Sequence, residues 1–214
     1  MVLFVASCAE NGSSTVVPAS TIVAPATSGT RYRVGDFVVY RYSGSFSIAS
    51  VTLREEVMAQ QGTRVRIDVT ATRGADVRRW IQVVTDTPEN EKGNVVDALY
   101  EMQGEKWALL ANEKNADLLR LSSWIIVEPD GRATDVASGS CREKIAGVEY
   151  DCTCTTGKNL LHAAPITFRA TDCKGFLWTH GSASFRDADG KDLVKVEVVE
   201  TGRNPKATPQ PFTP

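Results

Sequence analysis

Between Arg64 and Ala71 the chain alternates residue by residue, with Val65, Ile67, Val69 and Ala71 apolar and Arg64, Arg66, Asp68 and Thr70 polar. In an extended chain a period of two sends the apolar side chains to one face and the polar ones to the other, so this stretch predicts a strand with one wet face. The same beat recurs at Ala49, Val51 and Leu53. Phe37 to Tyr42 is rich in β-branched and aromatic residues and runs into Ser43-Gly44-Ser45, a turn signal, and Val77 to Thr85 supplies a fourth strand. Gln60-Gln61-Gly62 and Arg73-Gly74-Ala75-Asp76 are tight connections, which makes the whole an antiparallel meander.

Further along, Thr87-Pro88-Glu89-Asn90 with Glu91 has the cap, proline and acids of a helix start, but Gly93 and Gly104 interrupt it. Ala98 to Tyr100 and Trp107 to Leu110 read as a hairpin, so strands are favoured here, with one short helix near Asn115 to Leu121. Trp124 to Val127, Ile166 to Ala170 and Phe176 to Trp178 are extended in character, and Ser182 to Arg186 and Leu193 to Glu200 form a hairpin about Asp187-Ala188-Asp189-Gly190. The expected fold is mainly β, an antiparallel meander forming a curved sheet, half-barrel or sandwich with at most a short helix. A chain of 214 residues that is 42% hydrophobic can bury one sizeable core, placed at 31–202. The proline-rich residues 203–214 are expected to be disordered.

A net charge of -2 with no run of Lys or Arg gives no footprint for nucleic acid. No apolar stretch approaches the ~20 residues of a spanning helix, so membrane attachment requires an anchor.

Such an anchor is suggested by Met1 to Cys8, where an apolar run ends in Val5-Ala6-Ser7-Cys8. This segment resembles the lipobox of bacterial lipoproteins, which has an aliphatic residue three positions before the cysteine and small residues after it. The resemblance implies that Cys8 is diacylated and becomes the new N-terminus, with 1–8 the remnant of a signal whose charged and longer apolar parts lie upstream. Residues 9–30, made almost wholly of Ser, Thr, Ala, Pro, Gly and Val, then form a flexible tether. Ala9 rather than Asp follows Cys8, which by the same resemblance is compatible with an outer-membrane lipoprotein facing the periplasm or the cell surface.

Setting Cys8 aside leaves four of the five cysteines, Cys141, Cys152, Cys154 and Cys173, in one region. In an exported protein an even cluster reads as disulfides. If Ala146-Gly147 centres a hairpin, Cys141 faces Cys152, which predicts that these two bond and that Cys154 reaches Cys173. Ala146 is an unusual residue for such a turn, and a one-residue slip would instead pair Cys141 with Cys154 or Cys173.

No catalytic signature stands out. Cys152-Thr153-Cys154 is too closely spaced for a usual zinc pair, the two histidines, His162 and His180, have structural settings, and no G-x-S-x-G, H-E-x-x-H or phosphate-binding loop is present. No metal and no cofactor are expected. Trp80, Trp107, Trp124, Phe176 and Trp178 either fill the core or line a cavity for a hydrophobic ligand. The chain thus resembles uncharacterised secreted lipoproteins, which implies a non-enzymatic, lipid-anchored binding or scaffold protein of the envelope. The alternatives are a carrier of hydrophobic molecules resembling the lipoprotein-sorting carriers, and an envelope hydrolase or redox enzyme.

Overall fold

The computed structural model describes residues 30–47, 49–93, 95–111, 130–178 and 181–214. The alternating stretch is β3 (Arg64–Arg73), and Val65, Ile67, Val69 and Ala71 are all buried. It pairs with β2 (Val51–Gln61) on one side and β4 (Asp76–Thr85) on the other, and β1 (Asp36–Ser43) lies beyond β2. The cap, proline and acids at 87–91 do open a helix, α1 (Pro88–Gly93), in which the Thr87 hydroxyl accepts the Asn90 N–H at 3.3 Å. Strands alone therefore do not account for this section, although β5 (Ala98–Gln103) and β6 (Lys106–Ala111) follow as the expected hairpin. The helix proposed near 115–121 and the strand at 124–127 lie outside the described residues.

The second meander comprises β7 (Asp130–Ile145), β8 (Val148–Leu161), β9 (Ala164–Cys173), β10 (Ser182–Arg186) and β11 (Asp192–Arg203). The 11 strands of the described residues form one open antiparallel sheet in the order β6-β5-β4-β3-β2-β1-β11-β10-β9-β8-β7. Each half is a chain of neighbouring hairpins, and the first and last strands meet at the centre. The two halves share one core. Val38, Tyr40 and Tyr42 on β1 continue Val194, Val196 and Val198 on β11 and Phe185 on β10. The second meander also curls, bringing β7 back to within 8 Å of β11.

Phe176 to Trp178, expected to be extended, belong to the connection from β9 to β10. The Phe176 N–H closes a turn onto the Cys173 carbonyl at 3.1 Å, which takes these residues out of the ladder and lets their side chains pack inward. Phe176 meets Tyr150 edge-on with centroids 5.6 Å apart, and Trp178 meets Tyr32 at 5.2 Å.

The proline-rich end packs against the sheet. Its prolines cannot donate to a ladder, but its remaining groups dock on acceptors and donors that the sheet leaves free. Met58, which the β2–β3 register skips as a bulge, gives its carbonyl to the Gln210 N–H at 2.8 Å. The buried Arg66 guanidinium donates to the Pro211 carbonyl, and Arg64 stacks over Phe212 at 4.8 Å. At the start of this segment the Asn204 N–H donates to the Gly35 carbonyl, and a Cβ on Gly35 would lie 2.4 Å from the Asn204 oxygen. With φ at +89°, that position requires glycine twice over.

Among the described residues no helix is long and apolar enough to cross a membrane.

Candidate functional site

Opposed residues of antiparallel strands share a face, so the register sorts the side chains of the sheet into two sets. One face is the apolar core. Across it runs the row Val38, Glu55, Val69, Trp80, Glu101, in which Trp80 is 1% and Glu55 2% exposed. Tyr32, Tyr40 and Tyr42 are buried around the same carboxylate. Burial holds the Tyr40 and Tyr42 hydroxyls far above the usual tyrosine range, and the negative charge of Glu55 adds to it. Burial acts the same way on Tyr32, against the opposing charge of Arg31.

Of the aromatic residues considered as ligand lining, Trp80, Phe176 and Trp178 join this buried cluster, whereas Trp107 is half-buried on β6. Trp124 lies outside the described residues, as do Cys8 and His180. Side chains as inaccessible as Trp80, Leu53 and Val69 leave no room for a water-sized probe beside them, so this stretch of the face is closed by the chain itself.

The opposite face of the second meander differs from one end to the other. At one end Ile145, Cys152, Thr171 and Cys173 are buried, and a Cβ on Gly181 would lie within 3.0 Å of Ile145, Thr171 and Cys173. At the other end a groove of about 340 Å³ opens over β8, β9 and β10. Its lining follows from register. Thr156 stands opposite Arg169, which stands opposite Ser184, and two residues along Lys158, Thr167 and Arg186 form the next row. The result is a checkerboard of three hydroxyls and three cations, built from Thr156-x-Lys158, Thr167-x-Arg169 and Ser184-x-Arg186 on successive strands.

Carboxylates accompany each cation. Lys158 meets Asp135 at 2.8 Å and Arg186 meets Asp192 at 2.7 Å, while Arg169 pairs with Glu143. The hydrogen bond to Asp135 raises the Lys158 pKa. The Lys158 and Arg186 pairs are open to solvent and contribute little to stability, so they can exchange partners readily, whereas Glu143 is more buried. Behind the floor, on the reverse side of the sheet, Gly157 leaves room for the Phe168 ring, which a Cβ there would approach to 2.5 Å.

Arg169 also reaches beyond the groove, with Nη2 3.0 Å from Cys154 Sγ. The four cysteines lie on this face of three adjacent strands. The hairpin register is the expected one, with Ile145 opposite Val148 and Cys141 opposite Cys152, and Ala146 and Gly147 both take positive φ. The bonds nevertheless join Cys141 to Cys154 and Cys152 to Cys173, which corrects the expected pairing. Cys152 lies on the middle strand and faces a cysteine on each side. The Asp151 carbonyl accepts the Lys174 N–H, so the polar groups of Asp151 point to β9 and those of Cys152 to β7. Cys152 and Cys173 are therefore the close, non-hydrogen-bonded kind of pair, with Cα atoms 3.9 Å apart. Cys141 is left to bond diagonally, across 5.8 Å. The ligand atoms of Cys141, Glu143 and Cys154 come within 4.8 Å of one another, but both sulfurs are in the disulfide and offer no thiolate to a cation. His162 is exposed in the β8–β9 turn.

Each hydroxyl-x-cation triplet of the groove is unremarkable alone in the sequence. Its repetition on three consecutive strands was the available signal.

No protein-family model and no curated protein matches the chain. Among solved structures, it is similar to MucB with 12% identity and a TM-score of 0.44, over 82% of this chain and 55% of that one. MucB in complex with MucA(peri) gives 13% and 0.43, over 79% of this chain and 51% of that one. The chain thus spans about half the length of MucB. An exported protein with a YmcC-like fold from Bacteroides fragilis gives 8% and 0.41, over 82% of this chain and 99% of that one.

Proposed function

We infer that the protein is a lipid-anchored binding protein of the bacterial cell envelope, held by Cys8 on the 9–30 tether and engaging an acidic partner through the groove over β8–β10. The observation that carries this reading is a contrast between faces. The apolar core face is closed where it is described, whereas an open groove on the other face offers Lys158, Arg169 and Arg186 interleaved with Thr156, Thr167 and Ser184. Cations set among hydroxyls suit carboxylate-bearing ligands, and exposed intramolecular carboxylates can be displaced by an incoming one. The oxidised cysteines fit an exported chain.

A carrier of hydrophobic molecules is the second reading, favoured by the half-buried Trp107 at the β6 edge. A photo-crosslinking residue placed at Thr167, in protein expressed in its native envelope, separates the two. The binding reading predicts an adduct with an acidic envelope component that is lost when Lys158→Glu and Arg186→Glu are introduced together. Absence of an adduct, or one indifferent to charge reversal, contradicts it. Acyl-chain adducts from a crosslinker at Trp107 instead would support the carrier.

A further inference from the structure

Two disulfides lie side by side, but their surroundings differ. Cys152 and Cys173 are 7% and 5% exposed, packed under the β9–β10 connection, whereas Cys141 and Cys154 are half-buried. Cys154 Sγ has the Arg169 guanidinium at 3.0 Å, and the same side chain lines the open groove. A cation in contact with a sulfur lowers the cost of the thiolate and makes that sulfur the better leaving group in exchange. The neighbouring Glu143 carboxylate shares the guanidinium and opposes this effect.

We propose that Cys141–Cys154 is a reversible thiol–disulfide exchange site open to an external dithiol, with Arg169 as the positioning residue for the departing Cys154 thiolate, and that Cys152–Cys173 is the permanent staple. One thiolate of the dithiol attacks Cys141 Sγ. A mixed disulfide forms, the Cys141–Cys154 bond breaks, and its electron pair goes to Cys154 beside Arg169. The second thiol of the donor loses its proton to solvent and attacks the donor sulfur of the mixed disulfide, releasing Cys141, which is protonated by water. Two electrons pass to the protein, and the donor leaves as its own cyclic disulfide. The site shares Arg169 with the groove, but the exchange itself requires no ligand there.

The test uses the oxidised protein in graded dithiothreitol without denaturant, followed by acid quenching, alkylation and peptide mapping, with circular dichroism reporting the fold. Cys141 and Cys154 should be labelled at dithiol exposures about tenfold lower than Cys152 and Cys173, while the fold persists. Arg169→Gln should slow that opening by about tenfold, Arg169→Lys should restore much of the rate, and Glu143→Gln should quicken it. Simultaneous labelling of all four cysteines on unfolding, or opening of Cys152–Cys173 first, overturns the proposal. A rate unchanged in Arg169→Gln, or unchanged or slower in Glu143→Gln, removes Arg169 from it. The order of labelling in the unaltered protein decides the exchange site even if a variant fails to fold.

Discussion

Tyr40 in the first strand stands directly opposite Val198 in the last, so the seam that unites the two meanders places a buried phenol against an apolar side chain. The consequence is a dependence on alkaline pH. Tyr32, Tyr40 and Tyr42 bind their protons more tightly folded than unfolded, so their contribution is intact below the unfolded pKa of about 10 and is lost as pH rises above it. Tyrosinate absorbance from these three should therefore rise only together with loss of the folded circular dichroism. Replacing all three by Phe should remove that coupled step, and ionisation of the three in folded protein would contradict it.

Trp80 is buried, and its Nε1–H has no hydrogen-bond partner among the described residues. Trp80→Ala should cost about 3–5 kcal/mol by cavity formation. Trp80→Phe keeps most of the packing and removes a buried donor whose unsatisfied state costs about 1–3 kcal/mol, so its net cost should be much smaller. Urea denaturation measures both, and equal losses would show that the indole N–H is satisfied in solution.

The C-terminal segment should matter for stability. Deleting 204–214 takes from the buried Arg66 its contact with the Pro211 carbonyl and from Met58 its donor, a loss of about 1–3 kcal/mol. A melting temperature unchanged by the deletion would show that the segment is not docked in solution.

How much of this was readable in the sequence depends on how local each feature is. The beat of Val65, Ile67, Val69 and Ala71 needs no partner to be recognised, and the hairpin that opposes Cys141 to Cys152 follows from a two-residue turn. The choice of disulfide was not readable, because it depends on which flank of β8 carries the hydrogen bonds at Cys152, and that requires β9 to be in place. Docking of 204–214 depends on a bulge at Met58 that no periodicity announces. The groove needs the register of three strands at once, so Lys158, Arg169 and Arg186 look like ordinary wet-face residues until they are aligned.

Gly157 tests that register. A Cβ there would meet the Phe168 ring at 2.5 Å and the Thr134 carbonyl at 3.2 Å, so Gly157→Ala should destabilise by about 1–3 kcal/mol. Combining it with Phe168→Leu should cost less than the sum of the two single changes, as expected for residues in contact. Strict additivity would place Phe168 elsewhere.

The most direct test of the functional account is native mass spectrometry of the protein purified from its own envelope. An anchored protein that binds through its polar groove should begin at Cys8 with covalently attached acyl chains, contain both disulfides and hold no lipid non-covalently. A chain with Cys8 unmodified, or one released from detergent with an acyl ligand still bound, would contradict it.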